Sequence, residues 1–323
     1  MKKFIIYTLA YSEDIGGVIA LHKLCDLLNK SGYEAYLYPS IFPEGGYDLY
    51  SYNISSVPLM NQVLNRVFSI TQTLSLGTKI SPDQIPEVFW VNQFFNTPVY
   101  KPDPNISFGE EWVVIYPEVT FGNPLRAKNV VRWLLHNPGF HTGKIYYGVN
   151  ELYFRYSEAF DKFQYPGSKT SDLILMILHL PLDIFYESKI PQERKGTAYL
   201  VRKGNGRKIM HNLENSIPID GKSNSEIADI FRSVETFISY DPSTLYSNLA
   251  VLCGCQSVVM PLEGVAEDKW KPNYISYGVS YGFENISKAK KTAPLVRDAL
   301  LLAEVQSEEL VKSFVKEVED YFN

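Results

Sequence analysis

The first part of the chain alternates compact apolar runs with one segment of helical spacing. Lys3–Leu9 is an apolar run that predicts a buried strand, and Val18–Asn29 carries apolar residues at helical intervals. Gly32 predicts the end of that helix, and Glu34–Tyr38 predicts a second strand. A strand, a glycine-containing loop, a helix and a strand form a βαβ unit, so the pattern indicates a parallel sheet.

The middle of the chain is less regular. Residues 40–110 are rich in Pro, Asn, Ser and Tyr, and they include one amphipathic segment, Pro58–Phe68. The pattern predicts, in chain order, strand Glu87–Val91, buried strand Trp112–Tyr116, helix Pro124–Leu135, and strands Lys144–Gly148 and Leu173–Leu178. Asn137, Pro138 and Gly139 favour the end of a helix, and they closely follow the predicted one.

The alternation restarts after a connector. Pro181–Lys195 contains two prolines and ends in a charged run, which is typical of a linker. The predicted elements that follow are strand Thr197–Val201, a helix to Phe231 opened by a capping box of Ser223 and Glu226, strand Thr236–Tyr240, helix Ser243–Cys253 and strand Gln256–Met260. The second half is therefore also a β-α-β-α-β series.

This layout predicts two α/β domains. The chain has 323 residues, and a domain usually holds roughly 100–200 residues. We predict an α/β protein with two Rossmann-like domains, at residues 1–185 and 190–305. The last stretch, Ser307–Phe322, is a charged amphipathic helix whose apolar stripe must be buried against another element.

Composition and charge exclude several classes of protein. The net charge is −5, so the chain lacks the basic excess of a broad nucleic-acid surface, and we expect no nucleic-acid partner. The three cysteines are too few for a disulfide framework, and no apolar run approaches the ~18 residues that span a membrane. The sequence contains neither a metal-binding pair of histidines nor an Asp-x-Asp motif. We expect a cytoplasmic protein with no metal and no cofactor.

The turn after strand Thr236–Tyr240 is the first candidate site. Asp241 and Pro242 lead into Ser243 and Thr244, where a helix is predicted to begin. A helix start offers unpaired N–H groups and partial positive charge, and both attract phosphate. Ordinary N-capping by Asp241 or Ser243 explains the same residues equally well.

Two further loops follow predicted strands. Arg202 and Lys203 come after Thr197–Val201, so they lie at the same edge of the second sheet and would stabilise a diphosphate leaving group. A solvated charge run is the alternative. Gly16 and Gly17 open the first helix, where a phosphate-binding loop belongs, although a tight turn explains them too. They match neither the dinucleotide fingerprint nor the P-loop, so a nicotinamide or ATP site is not favoured.

Glu118 and His136 are the candidate general bases. Glu118 comes just after buried strand Trp112–Tyr116, so its carboxylate is expected at the rim of a crevice, where it would take a proton from an acceptor hydroxyl. His136 lies at the end of the predicted helix Pro124–Leu135 and is the second choice. A carboxylate at a helix start and a cation at a helix end are the structural alternatives.

The order and spacing of these segments resemble the GT-B glycosyltransferases. Gly16–Pro39 looks like their first βαβ unit, and Phe237–Pro261 looks like the helix and strand around their donor site. Tyr116–Gly139 is similar to a segment of small transferases of bacterial surface polysaccharides. The resemblance implies two Rossmann-like domains facing a cleft, a donor held mainly by the second domain, and a final helix, residues 306–323, that crosses back to the first.

The chain departs from that family's pattern at two places. Many retaining members carry Glu-x7-Glu, whereas Asp241 and Leu249 stand at the corresponding positions here. Gly254-Cys255-Gln256 replaces the usual Gly-x-Pro. Retention or inversion, the donor base and the donor sugar therefore stay open. GT-B enzymes typically use side-chain cations and a helix start in place of a metal, and the resemblance gives Arg202 and Lys203 that role.

The resemblance implies a metal-independent, hexosyltransferase-like enzyme of polysaccharide biosynthesis. It would move a sugar from a nucleotide diphosphate sugar to a hydroxyl of a glycan or lipid-linked glycan. A lipid-linked acceptor would bring the enzyme into peripheral contact with the inner membrane. The diphosphate would lie between the lobes, among Ser243-Thr244, Arg202-Lys203 and Gly16-Gly17. A nucleotide-sugar epimerase or hydrolase on the same fold, and a non-catalytic glycan-binding protein, are the alternatives.

Overall fold

The structure divides the chain into two compact units. The computed structural model describes residues 1–13, 15–40, 89–101, 108–189, 193–204, 206–270 and 275–323. Unit 1 comprises Met1–His179 and Val305–Asn323, and unit 2 comprises Leu180–Glu304. The amphipathic segment predicted at Pro58–Phe68 lies outside the described residues.

Unit 1 is built on a parallel sheet. Its strands are β1 (Lys3–Thr8), β2 (Ala35–Pro39), β3 (Trp112–Pro117), β4 (Asn129–Leu134), β5 (Leu152–Arg155) and β6 (Lys169–Ile174). Helix α1 (Gly16–Lys30) connects β1 to β2. The order across the sheet is β2-β1-β3-β4-β5-β6, and every neighbouring pair is parallel. The order reverses between β1 and β3, and ligands of such sheets bind at the carboxyl ends of the strands beside that reversal.

Unit 2 repeats this plan. Its strands are β7 (Thr197–Leu200), β8 (Ser216–Pro218), β9 (Thr236–Ser239), β10 (Gln256–Val259) and β11 (Val279–Tyr281), and its helices include α2 (Asn224–Ser233), α3 (Tyr246–Leu252) and α4 (Ile286–Thr292). The parallel order is β11-β10-β9-β7-β8, so the reversal lies between β7 and β9. The two parallel sheets with their helices confirm the prediction of two Rossmann-like α/β domains.

The last helix, α5 (Val296–Phe322), returns to unit 1. The ring of Phe314 lies 6.0 Å from that of Phe4 and 4.9 Å from that of Phe154, centroid to centroid. The Ser171 hydroxyl donates to Glu317 Oε2 at 2.6 Å. The apolar stripe of the helix is buried at Val311, Phe314, Val315 and Val318. The predicted helix and its return to the first domain are confirmed.

The predicted helix Pro124–Leu135 is wrong, because Asn129–Leu134 forms strand β4. All six of its residues are buried. A central strand covered on both faces reads as a continuous apolar run, and a short run of that kind also matches helical spacing. Lys128 and the residues before it form the loop that leads into the strand. His136 therefore follows a strand and not a helix.

Other predicted bounds also change. Lys144–Gly148 is irregular, since Gly122 N donates to Tyr146 O at 2.7 Å and ties this segment to another loop and not to a strand. The strand predicted at Leu173–Leu178 runs from Lys169 to Ile174. Phe89–Val91 is not a strand, and Glu87 and Val88 lie outside the described residues. Helix α3 begins at Tyr246, three residues later than predicted, because the chain first makes a turn after Asp241.

Candidate functional site

The basic turn after β7 packs directly against the end of β9. Arg202–Gly204 forms a 3-10 helix whose start is held by the Asp220 carboxylate, which accepts from Val201 N at 2.9 Å and from Arg202 N at 3.2 Å. A Cβ placed on Gly204 would overlap the carbonyl oxygen of Tyr240. Only glycine fits this approach, so the turn and the residue after β9 lie together at the reversal of strand order.

Arg202 is held beside the start of α3. Its guanidinium carbon lies 5.0 Å from the ring centroid of Tyr246, a cation–π distance. Tyr246 is buried, and its hydroxyl donates to Asn224 Oδ1 at 2.8 Å. The Tyr246 ring therefore gives the guanidinium a fixed platform next to the residues that precede the helix. Lys203 is exposed on the same turn.

Asp241 stabilises the turn that separates β9 from α3. Its side chain is almost fully buried, and Oδ1 accepts from Ser243 N at 3.0 Å. Its carbonyl oxygen accepts from the Ser239 hydroxyl at 2.7 Å. A carboxylate that accepts from the amide two residues ahead forms an Asx turn. Asp241 therefore stabilises the backbone of this turn, which is the kind of structural role that the sequence left open as an alternative to phosphate binding.

The first turn of α3 already satisfies its own amides. Thr244 Oγ1 accepts from Tyr246 N at 3.3 Å, and the Thr244 carbonyl accepts from Ser247 N at 3.3 Å. The Leu245 carbonyl accepts from Asn248 N at 2.9 Å. Within the described parts of the chain, the amides of Thr244 and Leu245 make no hydrogen bond. The two amides without a hydrogen bond are therefore those of Thr244 and of the N-cap Leu245, just before the first turn of α3.

Arg207 is a structural cation that the sequence did not distinguish from its neighbours. Its guanidinium donates to three carbonyl oxygens, of Tyr240 at 2.6 Å, of Met260 at 3.1 Å and of Pro261 at 2.5 Å. These carbonyls follow β9 and β10, so Arg207 ties together the carboxyl ends of two strands. Arg207 is one of four basic residues between Arg202 and Lys208, and only the fold shows that its guanidinium is bound to backbone carbonyls.

Gly16 and Gly17 open helix α1 at the carboxyl edge of the first sheet. The residue before the helix, Ile15, makes no side-chain cap. A Cβ on Gly16 would meet open space, whereas one on Gly17 would lie 3.3 Å from Leu135 Cδ1. Gly17 therefore fits closely against the segment that follows β4, and Gly16 leaves the helix start open.

Glu118 lies at the same edge, just after β3. It is 4% exposed, and its Oε2 accepts from Leu135 N at 3.0 Å. Its carbonyl accepts from the Tyr147 hydroxyl at 2.6 Å. Burial raises the pKa of Tyr147 well above its usual range, so this hydroxyl stays protonated and keeps donating. The structure brings Glu118, Leu135 and Gly17 together, as expected for residues that follow adjacent parallel strands.

A buried ion pair supports the Glu118 loop. Arg132 Nε and Nη2 donate to the two oxygens of Glu151 at 2.7 and 2.8 Å. The same guanidinium donates to the carbonyls of Thr120 at 2.6 Å and Gly122 at 2.8 Å. Both charged side chains are almost fully buried. Because the guanidinium bridges a carboxylate and two loop carbonyls, the backbone just after Glu118 is fixed to β4 and to Glu151 beside β5.

His136 follows β4 and stands in a cluster of rings. Its Nδ1 accepts from Asn137 N at 2.8 Å. Since that nitrogen serves as acceptor, the proton of the neutral ring belongs on Nε2, which makes Nε2 a donor. The ring stacks on Phe140 with centroids 4.0 Å apart. In this tautomer the lone pair of Nδ1 is engaged by the Asn137 amide.

The predicted site residues thus form two sets. Unit 2 holds Arg202, Lys203, Asp241, Ser243 and Thr244, and unit 1 holds Gly16, Gly17, Glu118 and His136. Each set lies at the carboxyl edge of a parallel sheet, and all of these residues except His136, which follows β4, come after a strand at the reversal of strand order. No group of three or more His, Cys, Asp or Glu side chains in the described ranges is arranged to hold a metal ion. Among the helices of those same ranges, none is long and apolar enough to cross a membrane.

Comparisons with known proteins give similarities to solved structures. No protein-family model and no curated protein matches the chain. The chain is similar to TarM, at 11% identity and a TM-score of 0.41 over 100% of this chain and 99% of that one. It is similar to MurG of Acinetobacter baumannii, at 10% identity and a TM-score of 0.31 over 98% and 99% of the two chains. It is also similar to the spinosyn rhamnosyltransferase SpnG, at 11% identity and a TM-score of 0.29 over 98% and 100%.

Proposed function

We propose that the chain is a glycosyltransferase whose donor diphosphate binds at the carboxyl edge of the sheet in unit 2. One observation carries the proposal. The close approach of Gly204 to Tyr240 places the Arg202 turn against the Asp241–Leu245 turn, where the strand order reverses. A cation, two amides without partners in the described structure and the hydroxyls of Ser243 and Thr244 thereby meet in one place. That combination suits a phosphate group.

The proposed chemistry assigns a role to each set of residues. In unit 2, Arg202 and Lys203 stabilise the negative charge that builds on the nucleoside diphosphate as it leaves. In unit 1, the Glu118 carboxylate takes the proton of the acceptor hydroxyl. The acceptor oxygen then bonds to the anomeric carbon of the sugar, and the bond from that carbon to the diphosphate breaks. The amides at Gly16 and Gly17 offer a positive helix start for the anion or the acceptor.

The donor is a nucleotide diphosphate sugar, and the acceptor is a glycan or a lipid-linked glycan. We propose that transfer needs no metal, because Arg202 and Lys203 supply the positive charge. We further propose that the enzyme works in the cytoplasm in polysaccharide synthesis, with peripheral membrane contact when its acceptor is lipid-linked.

A nucleotide panel tests the donor site. We expect one of UDP, GDP, dTDP or ADP to raise the melting temperature, because a ligand at 100 times its Kd stabilises the native state by about 2.7 kcal/mol. The variant Arg202→Ala should lose most of that shift. No shift with any nucleotide would contradict the proposal and favour a non-catalytic glycan-binding protein.

A second assay separates transfer from the related reactions. The nucleotide sugar of the base selected above is incubated with the enzyme, with and without a mixture of oligosaccharides. We expect a sugar-extended product only when oligosaccharide is present. The yield should be the same with excess EDTA, because the proposed transfer needs no metal. A changed nucleotide sugar without any acceptor would indicate an epimerase, and release of sugar alone would indicate a hydrolase.

A further inference from the structure

The loop after β4 presents two aromatic side chains to solvent. Phe140 is 56% exposed and Tyr146 is 57% exposed. Both lie between β4 and β5, at the carboxyl edge of the sheet in unit 1. Two large exposed rings in one loop are a surface on which a ligand or partner can be bound.

Phe140 is the outer ring of a column that rises from the core. Phe160, which is 6% exposed, forms its base. The ring of His136 lies 5.2 Å from that of Phe160 and 4.0 Å from that of Phe140, with an angle of 29° between the planes of His136 and Phe140. One face of Phe140 is therefore covered by an aromatic ring, while more than half of the side chain remains open to solvent.

The backbone holds this column in place. Phe140 N donates to Asn137 O at 3.1 Å, and Asp161 N donates to Asn137 Oδ1 at 3.1 Å. Gly143 N donates to Gly139 O at 2.8 Å. A ring fixed in this way loses little conformational freedom on binding, which is the property of a preorganised contact surface.

Tyr146 is fixed close to the proposed base. Gly122 N donates to Tyr146 O, and the ring of Phe121 meets that of Tyr146 edge-on at 5.4 Å. The next residue, Tyr147, donates to the carbonyl of Glu118, and Leu135 N donates to the Glu118 carboxylate beside His136. The two exposed rings thus belong to the segments that bracket Glu118.

We propose that Phe140 and Tyr146 form a platform on which a sugar ring of the acceptor stacks. A pyranose has a flat face of C–H bonds and a rim of hydroxyls, so it suits an exposed ring with polar groups around it. The same loop carries polar side chains at Asn137, Thr142 and Lys144 and one further exposed apolar side chain, Val149. Asn137 Oδ1 accepts from Asp161 N, and the Thr142 hydroxyl donates to Lys144 O. The assignment to the acceptor rests on the proposed transferase activity, whereas sugar binding itself does not.

Direct binding tests the platform without any donor. The full-length protein is mixed with maltotetraose or chitotetraose in saturation-transfer NMR and is also applied to a glycan array. We expect at least one oligosaccharide to bind through its ring C–H protons. Phe140→Ala and Tyr146→Ala should each weaken that binding about fivefold, and Phe140→Tyr should restore it, because the stacking face is kept. Phe94→Ala is the matched control, since Phe94 is a 78% exposed ring elsewhere in unit 1.

The outcomes separate the platform from the donor site. Binding of no glycan by the wild-type protein, or unchanged binding by the Phe140→Ala/Tyr146→Ala double variant, overturns the proposal. An equal loss in Phe94→Ala also overturns it. If the double variant loses affinity for the nucleotide selected by thermal shift, the rings serve the donor, and the acceptor platform is wrong. If the protein binds a glycan but no nucleotide, the platform is supported and the proposed transferase activity is wrong.

Discussion

Gly204 and Tyr240 touch through their backbones, and no side chain larger than hydrogen fits at Gly204. This contact joins the turn after β7 to the residue after β9. Because Arg202 lies two residues before Gly204, the contact also fixes where its cation stands relative to the Asp241–Leu245 turn. The geometry of the proposed phosphate site therefore depends on a residue that carries no functional group.

The substitution Gly204→Ala tests that dependence. Overpacking against the Tyr240 carbonyl should lower the stability of the protein by about 1–3 kcal/mol and weaken nucleotide binding, because the turn must shift. Thermal melts and calorimetry measure the two effects. Lys203→Ala is the control on the same turn: its side chain is exposed, so it should weaken nucleotide binding without lowering the melting temperature. An unchanged melt and unchanged binding in Gly204→Ala would contradict the packing role.

The Tyr246 ring should matter through Arg202. Tyr246→Leu removes the platform under the guanidinium, and we expect the nucleotide Kd to rise about fivefold, the size of a cation–π contact of ~1 kcal/mol. Tyr246→Phe keeps the ring and removes the hydroxyl that donates to Asn224, so its Kd should stay close to wild type. Calorimetry on both variants checks this. In an Arg202→Ala background, Tyr246→Leu and Tyr246→Phe should bind the nucleotide with the same Kd. A difference between their Kd values in that background would show that the Tyr246 ring does not act through Arg202.

The buried pair of Arg132 and Glu151 should be required for unit 1. Glu151→Gln leaves the guanidinium without its counter-charge, and we expect a loss of about 3–5 kcal/mol in the free energy of unfolding. Urea denaturation followed by circular dichroism measures it. The double variant Arg132→Met/Glu151→Met removes both charges and should recover part of the loss. A Glu151→Gln protein as stable as wild type would show that the pair does not hold the Glu118 loop.

His22 should make stability depend on pH. It lies fully buried in α1, its Nε2 donates to Leu9 O at 3.0 Å, and burial lowers its pKa to about 4. The unfolded chain binds a proton at its ordinary pKa near 6.5, so the stability present at neutral pH is lost as the pH falls from 6.5 towards 4. Between pH 7 and pH 5 we expect the His22 contribution to fall by about 2 kcal/mol.

The variant His22→Gln isolates this effect. Glutamine can still donate to Leu9 O but does not titrate, so its unfolding free energy should change less over the same pH range. Urea titrations at pH 7 and pH 5 on both proteins give the comparison. Equal pH dependence in the two proteins would mean that His22 is accessible to protons in the native state.

The sequence predicts those elements whose signal is local. β1, α1 and β2 follow from an apolar run, a helical stripe and Gly32, whose φ of +86° suits the position after a helix. The capping box of Ser223 and Glu226 likewise predicts α2, and both of its hydrogen bonds are present. Strand β4 could not be distinguished from a helix, because its burial on both faces depends on neighbours that are distant in the sequence.

The candidate site was predictable in its location but not in its contacts. The ends of strands indicate where Arg202, Glu118 and the turn after Asp241 lie, because parallel strands share one functional edge. Nothing in the spacing distinguishes Arg207, which binds three carbonyls, from Arg202, which lies over Tyr246. That difference comes from tertiary packing. Tertiary packing also sets the start of α3 at Tyr246, which leaves the amides of Thr244 and Leu245 ahead of the helix.

Calorimetric titration of the nucleoside diphosphate selected by thermal shift tests the central claim most directly. It is run on the wild-type protein, on Ser243→Ala/Thr244→Ala and on Arg202→Ala, with Lys312→Ala in α5 as the control. We predict binding by the wild type and the control, a Kd raised at least about tenfold in Arg202→Ala, as for a lost charged hydrogen bond, and weakened binding in the double variant. Wild-type affinity in both site variants would contradict a donor site at the carboxyl edge of unit 2.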